Sequence, residues 1–449
     1  MSNKKKGTFW NLIDRLEGDK VVWIIVLLLF LFSIVCMFSS TSRLLRGDAT
    51  RLEIVSDQFV AVAFGLAVII GLYNIKNIKV FRVGAMLGFP LSFILLLLLD
   101  THANLGFIKA IELNGAYRIL AVSGFQVHVF EVVKVAMILY LAWALDSSKR
   151  GILKIGNLNK QWLKVLLIYA PFLIIFMMII PGSNSSALVI GGIMFVTILL
   201  GGGNFKDMTI LAAAGGVALG ICVGIFFVSD GKYMGRIGTG VSRIFEDHDW
   251  EEQFLSSGRG TVRWQEALDE MRQPVSAKIA IKEGGFMGKG PGQSTQRYVV
   301  PDISEDYMYS FIIEEYGILG GIAVICLYLS LLARGSIIVR NCGSDNFAKL
   351  SVAGLCILIT GQAFLHMFVN VGIGPMTGQT LPIISHGTSA LLCFCVAFGV
   401  ILSISRIAVR RIAKETSAAE PLMQMHEVNA SLSDLDAFES GQLDEYDEI

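Results

Sequence analysis

Residues 283–320 read E-G-G-F-M-G-K-G-P-G-Q-S-T-Q-R-Y-V-V-P-D-I-S-E-D-Y-M-Y-S-F-I-I-E-E-Y-G-I-L-G. A glycine-rich loop carrying Lys289 and Arg297 runs into an acidic cluster, Asp302, Glu305 and Asp306, and then into an apolar helix. The helix is expected to open near Asp306 and to carry Glu314 and Glu315 about two turns inside. Carboxylates at and below a membrane surface are costly and therefore functional candidates by default. Flexible backbone and cations beside them suggest an anionic, phosphate-bearing ligand.

The surrounding sequence makes that helix one of many. The chain has 449 residues, 54% hydrophobic and 16% charged, which suits a polytopic helical membrane protein and not a soluble domain. Each crossing takes about 20 apolar residues, and helices satisfy their own backbone in lipid. Ten spans are expected, near 21–41, 55–75, 81–100, 128–146, 162–180, 185–202, 208–229, 307–333, 346–369 and 385–409. The fold class is thus all-α, with ten transmembrane helices and a large extracytoplasmic loop, 230–306, between helices 7 and 8. The first span is too long for a signal peptide and no small-residue cleavage site follows it, so it reads as a retained helix.

Lys and Arg in short loops set the orientation. Lys4, Lys5 and Lys6, then Lys76, Lys79 and Arg82, then Lys149, Arg150, Lys154 and Lys160, then Arg334, Arg340 and Lys349, and finally Arg406, Arg410, Arg411 and Lys414 all fall on one side. Both termini are expected in the cytoplasm, with loops 101–127, 230–306 and 370–384 outside. Six of the seven cysteines lie in expected spans and Cys342 in a cytoplasmic loop, so no disulfide framework is implied. No metal signature is present, and no nucleic-acid partner is expected. From Glu415 onward the chain is polar and acidic, a composition that reads as disordered. Leu435, Phe438, Leu443 and Tyr446 sit among acids there, as in docking motifs or simply a solvated tail.

Each polar constellation has two readings. Asp306 at a water–lipid boundary suits general-base work, and it also suits a helix N-cap. Glu314 and Glu315 lie roughly 12–13 Å along the helix from Asp306 and cannot share one partner; either lines a polar cavity or pairs with a cation. Glu131 and Lys134, three apart on one face, read as a structural intramembrane pair. Gln362, His366 and Asn370, spaced by four, form one polar stripe that binds neighbouring helices or lines a cavity. Gly284, Gly285, Gly288, Gly290 and Gly292 could cradle phosphate oxygens or simply turn the chain; Lys289 is followed by Gly, so this is no P-loop. Gly216, Gly220 and Gly224 suggest close helix packing.

Together these segments resemble the SEDS family of cell-wall polymerases, the FtsW/RodA/SpoVE group, over about residues 20–410. The strongest piece is G-G-F-M-G-K-G-P-G-Q-S-T-Q-R…D-Y-M-Y-S-F-I-I-E-E-Y-G-I-L-G. The second is N-V-G-I-G-P-M-T-G-Q-T-L-P-I-I-S-H-G-T-S-A, residues 370–390, and the third is N-G-A-Y-R-I-L…F-E-V-V-K. The resemblance implies an inverting glycosyltransferase that polymerises lipid II onto a nascent glycan and releases undecaprenyl pyrophosphate. The family's essential Asp falls on Asp306. Gly285, Gly288, Gly290, Lys289, Ser294, Arg297, Glu315, Asn370, Thr377 and Ser385 become candidates for substrate binding, with Lys289 and Arg297 expected on the pyrophosphate. Glu131, Lys134 and Glu314 become structural or cavity charges. A divalent cation, Mg or Mn, is implied by the resemblance alone. So are a class B penicillin-binding transpeptidase partner, meeting the eighth and ninth spans and the outer loop, and further divisome proteins reached through the tail.

The chain departs from the family pattern at Ile119, Val129, His386 and 182–184, where an expected Pro-Asp reads P-G-S-N. The T-G-Q-T-L-P segment and the tail favour a division-type, septal enzyme of the inner membrane over an elongation-type one. A lipid II flippase and a silent scaffold are the readings from other classes.

Overall fold

The computed structural model describes residues 17–40, 51–113, 116–151, 160–203, 205–228, 256, 261–300, 303–374 and 377–446. Asp302, Lys154, most of 229–260 and the first sixteen residues lie outside that set. The chain is a mostly helical polytopic membrane protein. Seven helices among the described residues are long and apolar enough to cross a membrane: Lys20–Ser40, Ser56–Tyr73, Ile78–Asp100, Gln161–Ile179, Met308–Asn341, Asn346–Asn370 and Thr388–Ala418.

In chain order the helices are α1 (Lys20–Ser40), α2 (Arg51–Tyr73), α3 (Ile78–Met86) and α4 (Gly88–Asp100). Next come α5 (Val129–Arg150), α6 (Lys160–Lys164), α7 (Ala170–Ile179), α8 (Asn184–Leu200) and α9 (Phe205–Val228). The last four are α10 (Val262–Gly284), α11 (Met308–Asn341), α12 (Asn346–Asn370) and α13 (Thr388–Tyr446). A π-helical turn, Val165–Tyr169, joins α6 to α7. The principal packing pairs are α2 with α13, α11 with α12, α10 with α11, α5 with α12 and α4 with α5. Small residues make two of these close: Gly399 faces Leu72 and Ile69, and Gly88 faces the backbone of Ala136.

Four expectations change. The fold is not purely α: β1 (Ile108–Leu113), β2 (Ala116–Val122) and β3 (Phe125–His128) form an antiparallel sheet in order β1-β2-β3. Its β2–β3 turn uses Ser123 and Gly124, both at positive φ, the geometry that matches strand twist in a two-residue hairpin. The loop before α11 holds a helix of its own, α10, packed on α11. The tail expected to be disordered continues α13 to Tyr446; its Ala, Glu, Leu and Met content is that of a helix former. Gly216, Gly220 and Gly224 meet no neighbour among the described residues within 4 Å where a side chain would stand, so no close packing is seen there among those residues.

Among the described residues, Arg82, Arg150, Arg334, Arg406 and Arg410, all expected on one side, gather at one end of the bundle. Arg334 pairs with Asp19 at 2.7 Å, Arg406 with Glu17 at 3.2 Å, and Arg82 with Asp345 at 2.8 Å. Arg150 pairs with Asp146 at 2.9 Å, and Arg410 also meets Glu17. Asp345 caps α12 by accepting from the Ala348 amide, so one carboxylate fixes a helix start and two cations together. The opposite end carries the sheet, residues 283–300 and 303–306, and residues 377–387.

Candidate functional site

At that opposite end α12 organises the start of α11. The Asn370 carboxamide accepts from the Ser310 amide at 3.0 Å and donates to the Asp306 carbonyl at 3.0 Å. The His366 Nε2 accepts from the Tyr309 amide at 3.3 Å, while its Nδ1 lies 2.8 Å from the Gln379 carbonyl. The orphan amides of a helix N-terminus need acceptors, and here a neighbouring helix supplies them. The helix itself begins at Met308 with Tyr307 as N-cap and no side-chain cap bond. The capping alternative for Asp306 is therefore filled by Asn370 and His366.

Asp306 is half-buried and lines a narrow cleft with Tyr307, His366, Thr377, Gly378 and Gln379. The cleft holds about 10 Å³, about one water molecule's worth. Gln379 links it to a buried cation: Lys134 donates to Gln379 Oε1 at 2.9 Å, to Gln362 Oε1 at 2.8 Å and to Glu131 Oε1 at 2.6 Å. Lys134 is only 1% exposed, and three acceptors around one ammonium are what a buried charge requires. The expected Glu131–Lys134 ion pair is thus formed, and it lies one side chain from the Asp306 cleft. The polar stripe Gln362, His366, Asn370 does one job along its length, tying 377–381 and the start of α11 to α12. Ser385 accepts from the Leu381 amide at 2.9 Å and donates to the Glu305 carbonyl at 2.8 Å, so it braces the chain beside Asp306. Arg118 donates to the Gly182 carbonyl at 3.2 Å, bringing the third motif against the departing 182–184 turn. His386 contacts Glu305 at 3.3 Å on the rim.

The glycine-rich loop is built differently from a phosphate cradle. Glu314 is fully buried and accepts from Lys289 Nζ at 2.9 Å, Ser294 Oγ at 2.5 Å, the Thr295 amide at 2.8 Å, Thr295 Oγ1 at 3.0 Å and the Gln296 amide at 3.3 Å. Glu315 Oε1 accepts from Ser39 Oγ at 2.5 Å and from the Gly292 and Ser294 amides at 3.1 and 3.3 Å. The amides and the lysine that could have met a bound phosphate are engaged by the protein's own carboxylates. Glu314 and Glu315 take different donor groups and meet at Ser294, whose hydroxyl goes to Glu314 and whose amide goes to Glu315.

The glycines serve close backbone approach. Gly317 breaks α11 at φ 71°, ψ −176°. Around the break, loop and helix exchange main-chain hydrogen bonds. Lys289 and Gly290 amides donate to the Glu314 and Glu315 carbonyls, and the Ile318 and Leu319 amides donate to the Gly285 and Phe286 carbonyls. A Cβ on Gly288 would strike the Glu315 carbonyl, and one on Gly317 the Phe286 carbonyl. Gly285 and Gly290 supply positive φ on either side. Lys289 also meets Glu283, whose carboxyl that hydrogen bond holds below its ordinary value. Burial pulls the Lys289 ammonium down, but Glu283 and Glu314 more than offset it and leave it raised. Arg297 donates to the Ser39 carbonyl at 2.9 Å and to the Tyr298 hydroxyl at 2.8 Å. The expected site residues thus fall into two groups. Asp306, Asn370, Thr377, Ser385, Glu131 and Lys134 cluster around the cleft, while Lys289, Ser294, Arg297, Glu314, Glu315 and the glycines form the loop latch. Ser39, Thr295 and Gln379 complete these networks but were not singled out in the sequence reading; Thr295 and Gln379 lie within quoted motifs, whereas Ser39 carried no signal.

Among the described residues no three His, Cys, Asp or Glu side chains converge to hold a metal ion. The described side chains do not assemble such a site, and no step is derived through one.

Comparison with known proteins agrees with the fold. A chain of a solved peptidoglycan synthase complex, concerned with coordination of polymerization and crosslinking, matches at TM-score 0.61 and 20% identity, covering 87% of this chain and 98% of that one. RodA of Thermus thermophilus matches at TM-score 0.55 and 20% identity, over 88% and 98%. Among curated relatives, probable peptidoglycan glycosyltransferase FtsW of Geobacter sp. (strain M18) is 27% identical over 395 residues, 87% of this chain and 98% of the relative. Stage V sporulation protein E of Bacillus subtilis is 28% identical over 295 residues, 65% and 72%. Residues 19–409 match the FTSW_RODA_SPOVE family of cell cycle proteins, and this chain belongs to that family.

Proposed function

We propose that this chain is a peptidoglycan glycosyltransferase that polymerises lipid II, with Asp306 as its general base. The observation that carries the reading is Asp306 held in a cleft, with Asn370 donating to its carbonyl, Ser385 donating to the carbonyl of the preceding Glu305, and its helix capped by other side chains. Its carboxylate takes the proton of the acceptor sugar hydroxyl. That oxygen attacks the donor's anomeric carbon with inversion as the carbon–oxygen bond to the undecaprenyl diphosphate breaks. Lys134, through Gln379, biases the cleft toward negative charge. A cleft that admits one water must open to admit a sugar, so the described geometry is a closed form. The relatives' names and the solved synthase complex support the activity and a class B penicillin-binding transpeptidase partner. A protein-bound divalent cation has no support in the side-chain arrangement, although one carried in on the diphosphate is compatible with it.

The same reading takes ten crossings, counting α5, α8 and α9 with the seven long apolar helices, in the bacterial inner membrane. The Arg-rich end is cytoplasmic and Asp306 lies outside. The septal role is preferred over elongation on the T-G-Q-T-L-P segment and the tail, whose removal after Lys414 should spare polymerisation and impair midcell recruitment. The direct test is purified protein with lipid II. Glycan polymer from the wild type and a loss of about 10²–10⁴-fold in Asp306→Asn is the expected result. Near-normal polymer from a folded Asp306→Asn variant removes Asp306 from the chemistry, and translocation without polymer favours a flippase.

A further inference from the structure

A second cavity lies away from the Asp306 cleft, between the end of α1 and the 291–297 loop. It encloses about 380 Å³, at the lower end of the ~300–1,000 Å³ typical of small-molecule sites. One wall is apolar, made of Ile34, Val35 and Phe38; Val35 and Phe38 are 41% and 56% exposed on a membrane-spanning helix, so this wall continues onto the bilayer-facing surface. The other wall is polar, with Ser39, Arg297 and Tyr316.

Arg297 sets the chemistry. It is nine-tenths buried, yet its hydrogen-bond acceptors are neutral, the Ser39 carbonyl and the Tyr298 hydroxyl, and its guanidinium stacks 4.8 Å from the Tyr298 ring centroid. Its Nε is buried without an acceptor, and the Tyr316 hydroxyl likewise has none. Glu315, the adjacent carboxylate, directs Oε1 to Ser39, Gly292 and Ser294; it attracts Arg297 only at longer range and is not among its hydrogen-bond partners. A buried guanidinium with neutral partners, beside an apolar channel open to lipid, is matched by an anion that carries a hydrocarbon chain.

We infer that this groove is a resident-lipid site. It takes a bilayer glycerophospholipid, one acyl chain against Val35 and Phe38 and the phosphate on Arg297 Nε and the Tyr316 hydroxyl. The site stands independently of the catalytic reading, because none of its residues touches the Asp306 cleft. By bridging α1 and the 291–297 loop, the lipid would seat the loop from the membrane side.

Native mass spectrometry of the full chain in detergent, with palmitoyl-oleoyl phosphatidylglycerol and the matching diacylglycerol as probes, tests this. The wild type should retain phosphatidylglycerol and discriminate against diacylglycerol by at least about tenfold, as expected for a charge-assisted bond to phosphate. Val35→Trp fills the apolar wall without touching Arg297 and should abolish retention while the thermal midpoint holds. Arg297→Gln should remove the discrimination. Equal retention of both probes by the wild type, or unchanged retention by Val35→Trp, overturns the proposal. So does displacement of phosphatidylglycerol by an isoprenoid diphosphate at equal concentration, which would make the groove part of the substrate path. Capture of a polypeptide instead of lipid by a photo-crosslinker at Phe38 overturns it as well.

Discussion

Replacing Glu314 by Ala removes the acceptor for five donors at once and tests whether the loop is a latch or a ligand cradle. Lys289 would lose a buried counter-charge, and the Thr295 and Gln296 amides would lose their acceptor. Removing one partner of a buried charged network costs about 3–5 kcal/mol. Lys289 is 24% exposed and recovers part of that from water, so the low end, about 3 kcal/mol, is the working value. At about 1.4 kcal/mol per decade, amide exchange across the loop should accelerate about 100-fold. Hydrogen exchange read by mass spectrometry on the full chain, over peptides spanning 289–297, gives the answer. Peptides from α12 should not change, because its bonds to α11 lie nearer Asp306 and do not involve Glu314. Glu314→Gln, which keeps the shape and loses the charge, should fall between. Unchanged exchange at 292–296 in Glu314→Ala would refute the latch and return Lys289 and the loop amides to the substrate.

Three other outcomes follow from the same geometry. Gly317→Ala forces an L-residue into a conformation that is essentially glycine's, at about 1–3 kcal/mol before its Cβ meets the Phe286 carbonyl. A lowered thermal midpoint and faster loop exchange are expected, and an unshifted midpoint would mean the break is dispensable. Lys134→Met leaves Glu131 as an uncompensated charge and should destabilise by about 3–5 kcal/mol, while Glu131→Gln combined with Lys134→Met recovers most of the loss; a single variant as stable as wild type contradicts the network. The Glu283–Lys289 contact has a worked pH sign. The Glu283 carboxyl is lowered from 4.5, so its contribution is full above that value and is lost as pH falls through the lower folded value. Lys289 is raised from 10.5, so its contribution is full below that value and is lost as pH climbs through the higher folded one. Loop proteolysis, normalised to a control peptide, should be flat between and rise at the acid end in wild type but not in Glu283→Gln; a rise near pH 7 would sink this assignment.

How much of this was legible beforehand depends on the range of the interaction involved. The apolar runs at 21–41 and 346–369 coincide with helices because some twenty apolar residues can do little else. Asp306 stood out because a carboxylate beside an apolar helix is costly wherever its partners lie. What the sequence hid was pairing. Nothing local says that Asn370 and His366 cap a helix sixty residues upstream, or that Ser39 completes the Glu315 site. The cation Lys289 was an attractive phosphate ligand only while Glu314 and Glu283 had not been located. The sheet was missed for a local reason: I-K-A-I-E-L and A-Y-R-I-L-A-V alternate only weakly, and a short hairpin between spans passes for a loop.

The break at Gly317 divides α11 into a long shaft and a two-turn stub, 308–316, that begins just after Asp306. Loop carbonyls and amides replace the helical bonds missing at the joint, so the loop is spliced into the helix and does not merely rest on it. The stub therefore has two handles: Asn370 and His366 grip its start, and the loop grips its end. A pull on the loop becomes torque on the stub about the Gly317 joint, delivered to the Asp306 carbonyl some 12 Å along the axis from the Glu314 carbonyl that the loop grips (roughly eight residues at 1.5 Å each). A membrane helix that is stiff throughout would carry no such motion, whereas a jointed one makes the reach of Asp306 into its cleft a mechanical variable set from the loop.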